Sequence, residues 1–246
     1  MDKDKTTQQN SNLGLPQQQY PNKKQFLKMR NKWKKSNIRI SKRLRDIIHG
    51  YIMSDGYVRN GILTIDQGEK QKHFVNWLYD ELELIRTLSP ISEVERINPK
   101  TKKLSRSYRF NTRAFLQGFQ HLWYESLVDK NGVTQYRKRL PKSIDCFFNE
   151  TFLSLWFAGD GTKVVDSVGA KFEVTAFTTD ERLRLKNLFF KRFGIQTSIV
   201  SSGLSLKGTS QWALKIPASE YQKFRKLITK ETLIPQLFPY KLHKKI

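Results

Sequence analysis

The sequence predicts an α+β fold made of two pseudo-twofold related αββαββα domains. Three observations carry that prediction: one order of elements that runs twice along the chain, an Asn60-Gly61 hairpin turn in the first copy, and an Asp-Gly pair closing the first helix of both copies. The repeat matters most, because it fixes architecture before any single element is assigned. It divides the chain into a basic arm over residues 1–37, a first domain over 38–130, a linker over 131–149 and a second domain over 150–246.

The arm is rich in Gln, Asn, Lys and Thr and lacks apolar periodicity, so the sequence gives it little surface to bury. In the first copy, Arg43 to Ser54 is expected to be helical. Tyr57 to Arg59 and Ile62 to Gln67 then flank Asn60-Gly61, a dipeptide that tolerates the positive φ of a type I′ turn. Phe74, Leu78, Leu82 and Ile85 recur at helical spacing and predict a second helix from Glu69 to Thr87. Strands follow near Ser92 to Ile97 and Ser105 to Asn111, around the turn Pro99-Lys100-Thr101-Lys102-Lys103, and a helix from Thr112 to Tyr124 closes the copy.

The second copy begins with a helix from Glu150 to Ala158 and continues with strands near Thr162 to Val165 and Lys171 to Phe177, turning at Asp166 to Gly169. Thr179 and Asp180 open a helix to Phe193, with Glu181 in its first turn and Lys191 and Arg192 in its last, as the helix dipole favours; Gly194 ends it. Strands near Ile195 to Ser201 and Gln211 to Ile216 precede a final helix capped by Ser219 and running to about Thr229.

Composition narrows the chemistry. The 246 residues carry 45 Lys plus Arg against 22 Asp plus Glu, a formal charge of +23, which points to a polyanionic partner. No apolar run approaches the roughly 20 residues of a spanning helix, so nucleic acid is a better partner than a membrane. Sixteen Phe, nine Tyr and five Trp supply material for cored domains. Trp77, Trp123, Trp156 and Trp212 are read as core, and His49 as a packing residue. Cys146 is alone, which excludes an internal disulfide and a cysteine zinc site, and the four histidines are scattered. A catalytic metal would therefore need oxygen ligands.

Asp55 and Asp160 are the informative pair. At a helix C-terminus an aspartate opposes the macrodipole by roughly 0.3–1 kcal/mol, so a compensating cation is expected beside it. Two carboxylates with backbone carbonyls and phosphate oxygens suit Mg²⁺. Small residues nearby, Gly50 and Ser54 in one helix and Ser154, Ala158 and Gly159 in the other, would let the two backbones approach. The strands alternate polar and apolar residues, leaving one sheet face wet. Arg59, Arg106, Arg109, Asn111, Lys171, Gln211 and Lys215 are candidate readers of base edges from that face.

These residues resemble a known family. Ile48-His49-Gly50-Tyr51-Ile52-Met53-Ser54-Asp55-Gly56 matches the nine-letter LAGLIDADG pattern at Gly, Ile, Asp and Gly, while Leu153 to Gly161 keeps the first Leu and the final Asp-Gly but has Leu155 in place of Gly. Over residues 38 to 242 the chain resembles single-chain, two-motif LAGLIDADG homing endonucleases. It looks most like the branch of the yeast mitochondrial omega-intron enzyme, through Trp156-Phe157 and the run from Leu233-Ile234-Pro235-Gln236 to Tyr240-Lys241-Leu242. The resemblance implies four-stranded antiparallel sheets forming a saddle over DNA. It also implies a monomer that cuts both strands of a long target with Mg²⁺, or Mn²⁺ in its place, leaving short 3′ overhangs, and residence in a chloroplast or mitochondrion. It carries the metal role onto Asp55 and Asp160 and the basic catalytic role onto Lys138 and Lys241, with Arg139 and Lys142 as competitors for the former. The rival reading is an intron maturase that binds its own intron RNA on the same scaffold without cutting DNA.

Overall fold

The computed structural model describes residues 38–97, 99–206 and 208–243, so the arm expected over 1–37 lies outside the described residues. Residues Ile40–Ile246 form one compact unit. Within it the predicted order appears twice. The first half runs α1 (Lys42–Met53), β1 (Tyr57–Arg59), β2 (Ile62–Gly68), α2 (Lys72–Glu81), β3 (Ser92–Ile97), β4 (Leu104–Asn111) and α3 (Gln117–Trp123). A hairpin of β5 (Tyr124–Val128) and β6 (Thr134–Lys138) follows. The second half runs α4 (Glu150–Asp160), β7 (Gly161–Lys163), β8 (Ala170–Glu173), α5 (Thr179–Phe193), β9 (Ser198–Leu204), β10 (Ser210–Ile216) and α6 (Ala218–Ile228), with a short α7 (Leu233–Leu237) after it.

Both sheets are antiparallel and share one topology, β1-β2-β4-β3 and β7-β8-β10-β9, so each opens with the strand that leaves the Asp-Gly helix. The Asn60-Gly61 turn forms as expected, with φ of 52° and 70°. On the buried sheet faces, Leu63, Ile65, Phe110, Phe172, Leu214 and Ile216 join helix residues such as Phe74, Leu78, Leu185 and Phe189. Trp156 and Phe172, with ring centroids 4.1 Å apart, lie in the aromatic core of the second half. Burying one such ring contributes roughly 1.5–3 kcal/mol, and buried phenylalanines occur in both halves, Phe74 and Phe110 in the first and Phe152, Phe157, Phe172, Phe189 and Phe224 in the second.

Local chemistry moves several boundaries. The second helix ends at Glu81 rather than Thr87, yet Leu82 and Ile85 remain buried because the chain continues through tighter turns, Ile85 N–H donating to Leu82 O and Arg86 N–H to the same carbonyl. Thr112 to Leu116 is not helical: Leu63 N–H donates to Thr112 Oγ1, and Leu116 N–H to Gly61 O, tying the segment to the first hairpin. In the second sheet β8 stops at Glu173 instead of Phe177, and β9 spans Ser198–Leu204 instead of Ile195 to Ser201. The helix α5 is capped by Thr178, whose side chain and Glu181 close a reciprocal capping box. Ser219 does not cap α6; Pro217 precedes the first helical residue there, with no side-chain cap.

The core also corrects two tryptophans. Trp123 and Trp156 are fully buried, but Trp77 and Trp212 are only half-buried, the latter beneath the Arg182 guanidinium at 4.8 Å. His49 packs as expected. Its ring stacks on Phe147 at 3.7 Å and its Nδ1 accepts from Trp123 Nε1, while burial, aided by Arg45, lowers its pKa to about 3.

Candidate active site and nucleic-acid interface

Helices α1 and α4 pack against each other, and two glycines set how closely. A Cβ on Gly50 would sit 2.6 Å from Leu155 Cβ and 2.7 Å from the Phe152 carbonyl oxygen; one on Gly159 would sit 2.5 Å from Ser54 Cβ. When the two Asp-Gly pairs are aligned, Gly50 corresponds to Leu155 and Ser54 to Gly159. At each level, then, one glycine accommodates one larger residue, and Leu155 does not prevent close contact. Ser154, expected in the same contact, instead faces α6 and donates to Ile228 O. At the opposite end of the helix pair Asn149 caps α4 through Phe152 N–H and donates to the buried Asp46 of α1 at 2.8 Å.

This contact brings Asp55 and Asp160 together. The Asp55 carboxylate reaches across to α4, where a Cβ on Gly159 would lie 2.7 Å from its Oδ2. Gln67, buried on β2, donates to that oxygen at 3.0 Å and to Tyr51 Oη at 3.1 Å, which fixes the Asp55 side chain. Burial first, and then the charge of Asp55, push the Asp160 carboxyl up to about 7, against the opposing pull of Lys138; Glu173 acts in the same direction as Asp55. Among the described residues neither aspartate forms an ion pair.

Each helix end has its own lysine. Lys138, from the end of β6, donates to Ile52 O at 2.7 Å and to Ser54 O at 2.8 Å. Lys241, just after α7, donates to Phe157 O at 3.1 Å, Ala158 O at 2.5 Å and Gly159 O at 3.0 Å. Ile52 matches Phe157, and Ser54 matches Gly159, in the aligned motifs, so the lysines occupy equivalent places. Both satisfy carbonyls left over at the helix C-terminus, Ile52 O and Ser54 O for Lys138, Ala158 O and Gly159 O for Lys241, while Phe157 O also accepts from Gly161 N–H. Burial lowers both ammonium pKa values, Lys241 to about 8, while the two aspartates resist the shift. The competitors point elsewhere: Arg139 donates to His121 O and Leu122 O, and Lys142 is exposed.

The raised Asp160 carboxyl gives a stability prediction. Its folded pKa exceeds the unfolded value of 3.8, so its contribution to stability is present below that value and lost as pH rises through about 7. Asp160→Asn carries no such charge. In EDTA, its melting temperature relative to wild type is expected to rise between pH 5 and pH 8, as measured by thermal denaturation; a difference independent of pH would contradict the burial of Asp160 beside Asp55.

The wet faces of the sheets follow from register. In the first sheet, Thr64, Asp66, Arg109, Asn111, Ser92, Val94 and Arg96 share the face away from the helices, and Arg59 joins them at the edge through its pairing with Ile62. Arg106 does not: it lies on the opposite face, paired with Glu95 at 2.8 Å and Glu93 at 3.5 Å. In the second sheet Lys171, Lys215 and Gln211 share the wet face, past a bulge between Gln211 and Trp212. Sequence reasoning missed Gln67, Asp66 and Arg96. The strict alternation through Thr64, Asp66 and Gly68 was available to find Asp66, and Arg96 lies in a strand already assigned.

Residues 45–224 match the profile of the LAGLIDADG DNA endonuclease family. Among solved structures the chain is similar to the homing endonuclease I-WcaI bound to its DNA recognition sequence, with a TM-score of 0.70 and 20% identity over 95% of this chain and 97% of that one. Weaker likenesses are to mesophilic variants of the homing endonuclease I-DmoI (TM-score 0.47, 14% identity, 78% of this chain and 98% of that one) and to the N-terminal LAGLIDADG domain of DUF199/WhiA (TM-score 0.45, 12% identity, 81% and 90%). No curated protein matches the sequence.

Proposed function

Because the chain belongs to the LAGLIDADG DNA endonuclease family, we propose that it is a homing endonuclease that hydrolyses one phosphodiester on each strand of a long DNA target with a divalent metal. One observation carries the reading: two aspartates meet where α1 and α4 abut, and each helix end has a lysine at the equivalent backbone positions. The proposal extends to action as a monomer, to intron homing in an organelle, and to kinship with the omega-intron branch, which rests on the Trp156-Phe157 and Tyr240-Lys241-Leu242 runs.

The donor set fits Mg²⁺. Among the described residues no group of three or more His, Cys, Asp or Glu could cage a metal. Mg²⁺ asks for less, since it commonly binds through one or two carboxylates and fills its other positions with water and phosphate oxygens. Neither aspartate has a salt-bridge partner among the described residues, and Lys138 and Lys241, which attract them only at longer range, are bonded to backbone carbonyls, so the adjacent acids can take up a cation. When bound there, the ion would acidify a water and neutralise charge on the phosphate. Asp55, held by Gln67, and Asp160 would be its protein ligands. Lys138 and Lys241, anchored on carbonyls and excluded from bulk water, would place positive charge beside the phosphate as its negative charge grows. With a pKa near 8, Lys241 keeps its proton at neutral pH.

The maturase alternative needs neither acid, and both are present and juxtaposed. For DNA binding, the wet sheet faces offer Arg59, Arg109, Asn111, Lys171, Gln211 and Lys215, and a two-stranded ribbon fits the major groove. With a formal charge of +23, log K for target DNA is expected to fall by about 0.9 for each phosphate neutralised per unit of log salt, giving a steep line in a titration from 50 to 300 mM KCl. A nearly flat line would remove the nucleic-acid reading.

A further inference from the structure

We propose that Asp66 is a positioning residue that clamps Arg96 and Arg109 into a fixed pair, and that Arg109, so held, reads one G·C base pair in the half of the target facing the first sheet. The inference rests on the DNA-cleaving function proposed above and adds a specificity device to it. Three strands build the cluster. Asp66 on β2 pairs in register with Arg109 on β4, and Arg96 on β3 reaches over Ser107 of β4 to the same carboxylate. Asp66 Oδ2 accepts from Arg96 Nη2 at 2.9 Å, from Arg109 Nε at 3.1 Å and, closer still, from Arg109 Nη2. Arg96 Nη1 also donates to Ser107 Oγ at 3.2 Å.

The layering separates roles. The side chains of Arg96 and Arg109 are 50% and 38% exposed, whereas that of Asp66 is 24% exposed and lies beneath them. Its Oδ1 is buried with no hydrogen-bond partner among the described residues, and its Oδ2 already accepts from both arginines. Asp66 therefore cannot itself reach a base edge and acts through the guanidiniums. Burial opposes its charge, yet the bonds from Arg109 and Arg96 hold its carboxyl below the usual range, so the clamp stays charged at neutral pH.

A guanidinium has five N–H donors in a rigid fork. Arg109 engages the carboxylate through its Nε/Nη2 edge, which leaves its Nη1 side for another acceptor pair, and guanine O6 and N7 are the bidentate acceptors arginine matches in the major groove. Holding the fork before binding reduces the ordering that recognition requires. The carboxylate has a second effect: it cancels one of the two positive charges, so the cluster contributes less to nonspecific phosphate attraction than two free arginines would. The second half lacks the device, because Glu173 occupies the corresponding register position and faces Ala213. The G·C preference is thus expected on one side of the target only.

The test is a cleavage profile on a plasmid library randomised across the target, comparing wild type, Asp66→Asn and Arg109→Ala, with thermal melting of each. Wild type is expected to prefer G·C about tenfold or more at one position of one half-site. Both variants should reduce that preference to less than threefold, leave the other positions unchanged, and fold cooperatively; Asp66→Asn should bind nonspecific DNA no more weakly than wild type. If Asp66→Asn lowers only the melting temperature and keeps the base profile, the cluster is a structural cross-strand ion pair and the inference is overturned. If wild type cuts no DNA, the functional reading fails and this inference falls with it.

Discussion

Asp55→Asn and Asp160→Asn are each expected to abolish double-strand cleavage while leaving target binding intact. The substitution keeps the size of the side chain and removes the charge that a hard divalent ion requires. A metal contributes several kcal/mol to transition-state stabilisation, so the loss should be on the order of a thousandfold or more. Binding should persist because the proposed base and phosphate contacts lie on the sheet faces rather than at the α1 and α4 ends. In metal-free buffer affinity should rise slightly, as one negative charge facing the phosphates is removed. Cleavage assays beside electrophoretic mobility shifts separate the two effects; either variant cutting at the wild-type rate would show that its aspartate is not a ligand.

The second large effect concerns the contact that assembles the site. Gly50→Ala should lower the melting temperature by roughly 3–10 °C, corresponding to the ~1–3 kcal/mol of an overpacked core in a chain of this size. The added methyl would meet both Leu155 Cβ and the Phe152 carbonyl oxygen of α4, and a backbone atom cannot turn aside. Alanine's better helix propensity, about 1 kcal/mol, is too small to offset this. The variant should also cut more slowly, since separating the helices pulls Asp55 from Asp160. Gly118→Ala is the internal control: the glycine is exposed in α3, with no atom within 4 Å of an added Cβ, so the same change there should be neutral or stabilising. Equal melting shifts for the two variants in calorimetry would disprove the account of the helix contact.

Much of this architecture is written in local chemistry. Asn60-Gly61 specified its turn because few other pairs accept two positive φ values, and the repeated Asp-Gly pairs located both helix ends. Lys138 and Lys241 were named only through the family resemblance, and the structure sets both ammoniums on equivalent carbonyls. What stayed hidden depends on partners distant in the chain. Leu155 stands where the motif has Gly, and a motif read alone does not reveal that Gly50 lies opposite it. Arg106 was grouped with Arg109 although their odd spacing in one strand already puts them on opposite faces; the register adds that Arg106 faces Glu95 and lies beside Glu93. The β5–β6 hairpin lies outside the repeat, so no second copy announced it. Gln67 and the Asp66 cluster are assembled from separate strands, and their meaning appears only after the strands pair.

The most direct test of the central claim is incubation of wild-type protein with a plasmid library of candidate targets in Mg²⁺, alongside the same reaction in EDTA. The account predicts linear plasmid cut at one sequence with Mg²⁺ and no cleavage with EDTA. Binding of intron RNA with no cut DNA under either condition would contradict it and establish the maturase reading in its place.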